Sequence, residues 1–277
     1  MTTQASAGLQ RLAQDTALAA GDLAARRRSA GVRVAASKSS PEDVVTVADR
    51  ETESLIRALL ADARPDDGFF GEESAATPGT SGLTWVVDPI DGTVNYLYGF
   101  PAWAVSIAVV EGEPDPASWT TLAGAVYNPT GGELFSASAG EGSWLGERRL
   151  QVPPAVPLSL ALLGTGFSYR AAERERQADV VRGLIGQVRD IRRIGSAALD
   201  LCSVAAGRLN FYYERGLHPW DHAAGALVAR EAGAQVGGFG ADREGIDVLL
   251  AGSPGLYRVC EPLLAKLFEE FMADGGA

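Results

Sequence analysis

Apolar positions recur along this chain at two spacings, one helical and one strand-like, with polar or Gly/Pro-rich stretches between them. In Arg50–Leu60 the residues Leu55, Ile56, Leu59 and Leu60 fall at helical intervals, which predicts a helix over about 50–62. Similar patterns predict helices near 8–28, 175–187, 197–206, 220–232 and 256–271. Short β-branched and aromatic runs predict strands at Trp85-Val-Val87, Ser106–Val110, Leu122–Tyr127 and Glu133–Ser136, with others near Leu160, Phe211 and Val248. The Pro-rich segment Val152–Pro157 reads as a joint, giving an N-terminal α+β subdomain over 1–155 and a C-terminal α/β subdomain over 156–277. Thr77–Gly82 reads as a flexible loop.

With 277 residues, 46% of them hydrophobic, the chain can bury a sizeable core. Its net charge of -11 argues against a general nucleic-acid-binding surface, so Arg26–Arg28 reads as the solvated end of the first helix. The two cysteines, Cys202 and Cys260, lie in apolar contexts and are expected to be buried free thiols, as in a reducing compartment. No stretch has the plan of a signal peptide or the length of a membrane span, so a cytoplasmic location without membrane partners is expected.

Chemistry concentrates in Trp85-Val-Val-Asp-Pro-Ile-Asp-Gly-Thr-Val-Asn95. An apolar strand is expected to end at Asp88 and Asp91, at the kind of rim where open α/β sheets place ligands. Pro89 lacks an N–H and forces a turn, leaving the Ile90 carbonyl open to a cation. Gly92 and Thr93 offer backbone N–H groups to an anion. Two carboxylates about 4 Å apart repel by roughly 4 kcal/mol at an effective dielectric of about 20, and a divalent cation turns that repulsion into attraction. A turn cap at Asp88 and a helix cap at Asp91 form the plainer alternative. Phosphatases that form an aspartyl-phosphate carry D-x-D-G-T; here position 89 is Pro, the nucleophile is missing, and a metal-activated water takes its place.

Four further acidic segments share this character. Lys38–Asp49 leads into the helix near 50, where Asp49 either complements the helix dipole or serves the site. Phe69-Phe-Gly-Glu-Glu-Ser74 carries adjacent acids, ordinarily a solvated loop. In His218-Pro-Trp-Asp221 the acid stands at a helix start, as a cap or a metal ligand. Gly195-Ser196-Ala197 precedes an apolar helix, with Ser196 as an N-cap or, together with Glu214, as the lining of a polyol pocket. His218 and His222 have a zinc-like spacing, but the other candidate ligands are oxygens, which favours Mg²⁺.

Taken in order, K-S-S-P-x-D-x-V-T-x-x-D at 38–49, G-E-E-S at 71–74, W-V-V-D-P-I-D-G-T-V-N at 85–95, G-S-A-A at 195–198, Y-Y-E at 212–214 and W-D-x-A-A-G at 220–225 resemble the inositol monophosphatase family. The resemblance implies an α/β fold, a five-layer α-β-α-β-α sandwich of the inositol monophosphatase and fructose-1,6-bisphosphatase type, and a homodimer. It implies that Glu72, Asp88 and the Ile90 carbonyl bind one Mg²⁺, that Asp88, Asp91 and Asp221 bind a second, and that a weaker third lies near Glu72, with the loop at Lys38 moving. Asp49, Glu72 and Thr93 become the implied catalytic residues, Thr93 and Asp49 pairing to activate water. Asp91 is among the implied substrate-binding residues; Gly92 and Thr93 hold the phosphate, and Gly195, Ser196, Ala197, Glu214 and Asp221 contact the ring. The implied activity is lithium-sensitive hydrolysis of myo-inositol 1-phosphate. Fructose 1,6-bisphosphate, histidinol phosphate and adenosine 3′,5′-bisphosphate are alternative substrates, and a non-catalytic metal-binding regulator is the alternative of another class.

Overall fold

The structure, a computed structural model, describes residues 3–32, 34–37 and 44–271. In chain order the elements are α1 (Thr3–Ser29), β1 (Val34–Ser37), β2 (Val44–Thr46), α2 (Val47–Ala63), β3 (Gly68–Gly71), β4 (Leu83–Asp91), α3 (Thr93–Tyr98), β5 (Ala104–Glu111), β6 (Thr120–Asn128), β7 (Glu133–Ser138), β8 (Gly142–Leu145) and β9 (Arg148–Arg149). They continue as β10 (Leu162–Thr165), α4 (Ala171–Ile185), β11 (Asp190–Arg192), α5 (Ala197–Ala205), β12 (Phe211–Glu214), α6 (Pro219–Glu231), β13 (Gln235–Gly237), β14 (Leu249–Gly252) and α7 (Pro254–Phe271).

Strands β3 to β9 form one sheet in sequential order, with β3 parallel to β4 and the other neighbours antiparallel. The second large sheet has the order β11-β10-β12-β14-β13. Between them 151–157 contains no helix or strand. Helices α1 and α2 pack on one face of the first sheet, α5 and α6 lie between the two sheets, and α4 and α7 cover the far face of the second. This is the expected five-layer sandwich, and each of its four interfaces is a separate apolar cluster.

That layering explains the unbroken apolar runs. On β5, Val105, Ile107 and Val109 face α1 and α2, while Ala104, Ala108 and Val110 face α5 and α6, so both sides of the strand are dry. The same alternation on β4 sends Trp85 and Val87 one way and Val86 the other. Asp88, two residues after Val86, therefore points toward α6.

Helix α1 approaches closely because its buried stripe is small: Ala13, Ala17, Ala20 and Ala24 are wholly buried. Its C-terminal arginines do more than meet solvent. Arg27 pairs with Glu51 at 2.6 Å and Arg28 lies over the Tyr96 ring, tying α1 to α2 and α3. Thr77 is also held, exchanging two backbone hydrogen bonds of 2.8 Å with Phe69. Cys202 and Cys260 are free and buried, as expected. No described helix is long and apolar enough to cross a membrane.

Candidate active site

Strand β4 does not end at Asp88. It continues through Pro89 to Asp91, and its register against β5 shifts between Asp88, opposite Ser106, and Asp91, opposite Ala104. Four residues thus face three, a bulge that breaks the strict alternation. Pro89 accounts for this, since it cannot donate to the ladder. Both carboxyls end up on the same side of the sheet, next to the start of α6. One oxygen each from Asp88, Asp91 and Asp221 lies within 4.8 Å of the others, with Asp88 and Asp91 buried and Asp221 half-buried.

Each acid is held by neighbours. Asp88 accepts the Ile90 N–H at 2.9 Å. Asp91 accepts the Ser196 hydroxyl at 2.5 Å and the Ala198 N–H at 2.8 Å, so the first turn of α5 is docked on it. Asp221 accepts the His218 N–H at 2.7 Å; it caps α6 and joins the trio at once, uniting the two readings of that position. Glu72 follows β3, its N–H bonded to the Val87 carbonyl at 3.2 Å, and its side chain lines the same cavity as Asp88. It is not a solvated loop acid.

Burial, reinforced by the negative charge of Glu72 and of the other acids, pushes Asp88 and Asp221 well above the usual carboxylate range. Burial raises Asp91 to about 6, held back by its bonds to Ser196 and Ala198. Among the described residues no basic side chain pairs with any of the three. An all-oxygen, uncompensated donor set of this kind fits a hard divalent cation such as Mg²⁺. Neither histidine joins that group: among the described residues the ligand atoms that gather are those of Asp88, Asp91 and Asp221, while the His218 ring stacks on Trp220 and His222 is buried against Trp119.

Beside the trio, Gly92 has φ +93° and precedes α3; a Cβ there would lie 2.9 Å from the Gly195 carbonyl oxygen and 3.0 Å from that of Ala102. Thr93 Oγ1 lies 3.1 Å from the Ile90 carbonyl and 3.2 Å from Asp49 Oδ1. Asp49 is fully buried, with Oδ2 accepting the Thr46 N–H at 2.8 Å and the Thr46 hydroxyl, and burial lifts its pKa to about 7. Helix α2 accordingly begins at Val47, not near 50, capped by Thr46. Thr46-x-x-Asp49 is a capping box legible in the sequence and passed over there.

A cavity of about 660 Å³ opens over these groups, lined among others by Glu72, Asp88, Thr93, Ser196, Glu214 and Asp221. Gly195 and Ala197 line it too. Glu214 accepts the Tyr212 hydroxyl at 2.5 Å, and burial raises it to about 7 against the pull of that bond and of the Arg193 charge. Arg193 lines the cavity, and Tyr212 and Gly166, whose missing side chain leaves room for the Glu214 carboxyl, sit against Glu214; the sequence offered Tyr212 only within Y-Y-E and gave Arg193 and Gly166 no role. Strand periodicity places Tyr212 on the face of Glu214 and was the available signal. Lys38 lies outside the described residues.

The sequence model of the inositol monophosphatase family matches residues 7–271. The chain belongs to the inositol monophosphatase family. It is 48% identical over 248 residues to the inositol-1-monophosphatase SuhB of Mycobacterium tuberculosis, spanning 83% of this chain and 80% of that protein. It is 38% identical over 256 residues to the Nus factor SuhB of Escherichia coli, spanning 91% and 92%. The crystal structure of the extragenic suppressor protein suhB from Bartonella henselae superposes with a TM-score of 0.85 at 34% identity, covering 94% of this chain and 99% of that one. Members of the inositol monophosphatase family are metal-dependent phosphatases, and the acid trio described above is where this chain can meet that requirement.

Proposed function

We propose that this protein is a Mg²⁺-dependent phosphomonoesterase that hydrolyses myo-inositol 1-phosphate and related inositol monophosphates to inositol and phosphate. The observation that carries the reading is the Asp88, Asp91 and Asp221 trio, set between the Gly92-Thr93 turn and the Ser196 and Glu214 side of one cavity. Asp88, Asp91, Asp221, Glu72 and the Ile90 carbonyl are the residues that would hold divalent ions. Such ions, when bound, neutralise phosphate charge, acidify water and stabilise the departing oxygen.

The remaining work falls to the chain itself. Gly92 and Thr93 flank the phosphate, and the Thr93 hydroxyl relays the proton of the attacking water to Asp49. A carboxyl near 7 suits a base at neutral pH. Glu72 assists from beside Asp88. Ser196, Gly195, Ala197 and Glu214 receive the polyol, with Tyr212 fixing the carboxyl of Glu214. Lithium inhibition and a homodimer belong to the same proposal.

Measuring kcat/KM with Mg²⁺ on inositol 1-phosphate, fructose 1,6-bisphosphate, histidinol phosphate and adenosine 3′,5′-bisphosphate tests it, with Asp91→Asn as the blank. Inositol phosphate should be preferred, and Glu214→Gln should erase the preference. Preference for another of the four keeps the chemistry and overturns the polyol assignment. A second reading, a regulatory role independent of turnover, is favoured by relatives named Nus factor SuhB. It requires that Asp91→Asn leave the protein's cellular role intact.

A further inference from the structure

Glu53 sits on α2, 3% exposed, and none of the chemistry above uses it. Its Oε2 accepts the Glu73 N–H at 2.8 Å, and its Oε1 accepts the Ser74 hydroxyl. Gly71 makes the seat: a Cβ there would stand 2.3 Å from Glu53 Oε2. One turn along α2, Arg57 donates to Ser74 Oγ at 2.6 Å, to the Ala75 carbonyl at 3.1 Å and to Thr77 Oγ1 at 2.8 Å. Its guanidinium lies 4.0 Å from the centre of the Phe69 ring. The Ser74 hydroxyl is thus donor to one α2 side chain and acceptor from the next.

These bonds converge on the backbone of Glu72. The N–H of Glu72 belongs to the peptide plane before its Cα, and β4 fixes that plane through the Val87 carbonyl. The N–H of Glu73 belongs to the plane after it, and Glu53 fixes that one. With both planes set, the direction in which Glu72 leaves the chain is set. We propose that Glu53, braced by Arg57 through Ser74, is the positioning residue that aims Glu72 into the cation site. The inference rests on Glu72 being a cation ligand.

The test is calorimetric titration of the metal-free full-length protein with Mg²⁺ alone, for wild type, Glu53→Gln, Ser74→Ala, Glu72→Gln and the Glu53→Gln/Glu72→Gln double variant. Thermal midpoints are recorded alongside. Removing an outer partner of a ligand typically costs 10–100-fold in metal affinity, so Glu53→Gln should weaken Mg²⁺ by about that factor. The Mg²⁺ concentration giving half-maximal hydrolysis should rise in step. Ser74→Ala, an exposed position, should act in the same direction and more weakly, which keeps the test alive if Glu53→Gln folds poorly. Because Glu53 acts through Glu72, the double variant should bind no worse than Glu72→Gln alone. If Glu72→Gln weakens binding while Glu53→Gln and Ser74→Ala do not, positioning is wrong and the ligand reading of Glu72 survives. Wild-type affinity in Glu72→Gln would remove both. A lowered midpoint with unchanged affinity in Glu53→Gln would reduce Glu53 to a structural tie and overturn the proposal.

Discussion

The hydroxyl of Thr93 carries one proton and has two acceptors in reach, the Ile90 carbonyl and Asp49 Oδ1. In the proposed relay a proton leaving water toward Asp49 passes through that hydroxyl, so Thr93→Val should lower kcat by the 10²–10⁴-fold typical of lost acid–base assistance. The substrate KM should stay within a few-fold, because the phosphate and polyol contacts remain. Steady-state kinetics decide it; a wild-type kcat would exclude the relay. The pH dependence has a definite sign. Asp49 must be deprotonated to accept; burial raises it to about 7 in the metal-free site and bound cations would pull it lower, so kcat/KM should climb with pH below about 7 and then level. In Asp49→Asn that limb should vanish. Residue-scale chemistry was legible where several motifs reinforced one another, as at Asp88, Asp91 and Asp221. It was obscure where the deciding partner is distant in sequence. Glu72 reads as a loop acid because nothing beside it announces Val87 or Glu53, nineteen residues upstream in α2.

Elements meet most tightly at the turn from β4 into α3. Gly92 occupies the left-handed region there, and its carbonyl neighbours come from Gly195, just ahead of α5, and from Ala102, just ahead of β5. Gly92→Ala would add left-handed strain of about 1–2 kcal/mol to an overpacked contact. A total loss of about 2–4 kcal/mol in unfolding free energy is expected from denaturant titration. The variant should also lose more activity than folded protein, since the turn sets Thr93 on one side and Gly195 on the other. Equal activity per folded molecule would show that the turn has no part in placing those groups. At this scale the sequence predicted long elements well, because burial on both faces writes unbroken apolar runs such as 107–110 and small-residue periodicity marks α5 and α6. Short pieces escaped it. Strands β9 and β11 have two and three residues with largely exposed side chains, too brief for any period to register. The start of α2 was misplaced because its cap, not its apolar face, defines it.

At the scale of the whole molecule, two features call for measurement. Tyr98 and Phe100, at and just after the end of α3, stand 75% and 64% exposed. Exposed aromatics side by side suit the homodimer proposed above. Light scattering should therefore report a dimer, and Tyr98→Ser/Phe100→Ser should shift it toward monomer; a monomeric wild type would refute the dimer proposal. The second feature is the buried acidity of the site. Asp49, Asp91 and Glu214 sit near 7, 6 and 7, raised by burial from ordinary values of 3.8, 3.8 and 4.5. A group whose folded pKa is raised favours the folded state while protonated, and that contribution fades as pH climbs through the folded value. Without cations the thermal midpoint should accordingly fall between about pH 5 and about pH 8. On the proposed assignment Mg²⁺ binds the deprotonated acids of the folded state, so saturating Mg²⁺ should raise the midpoint more at the upper pH than at the lower. Differential scanning calorimetry with Mg²⁺ and with chelator gives both curves. A Mg²⁺-induced shift that is the same at both pH values would mean that the buried acids are not what the cation neutralises, and the metal assignment of the trio would fall with it.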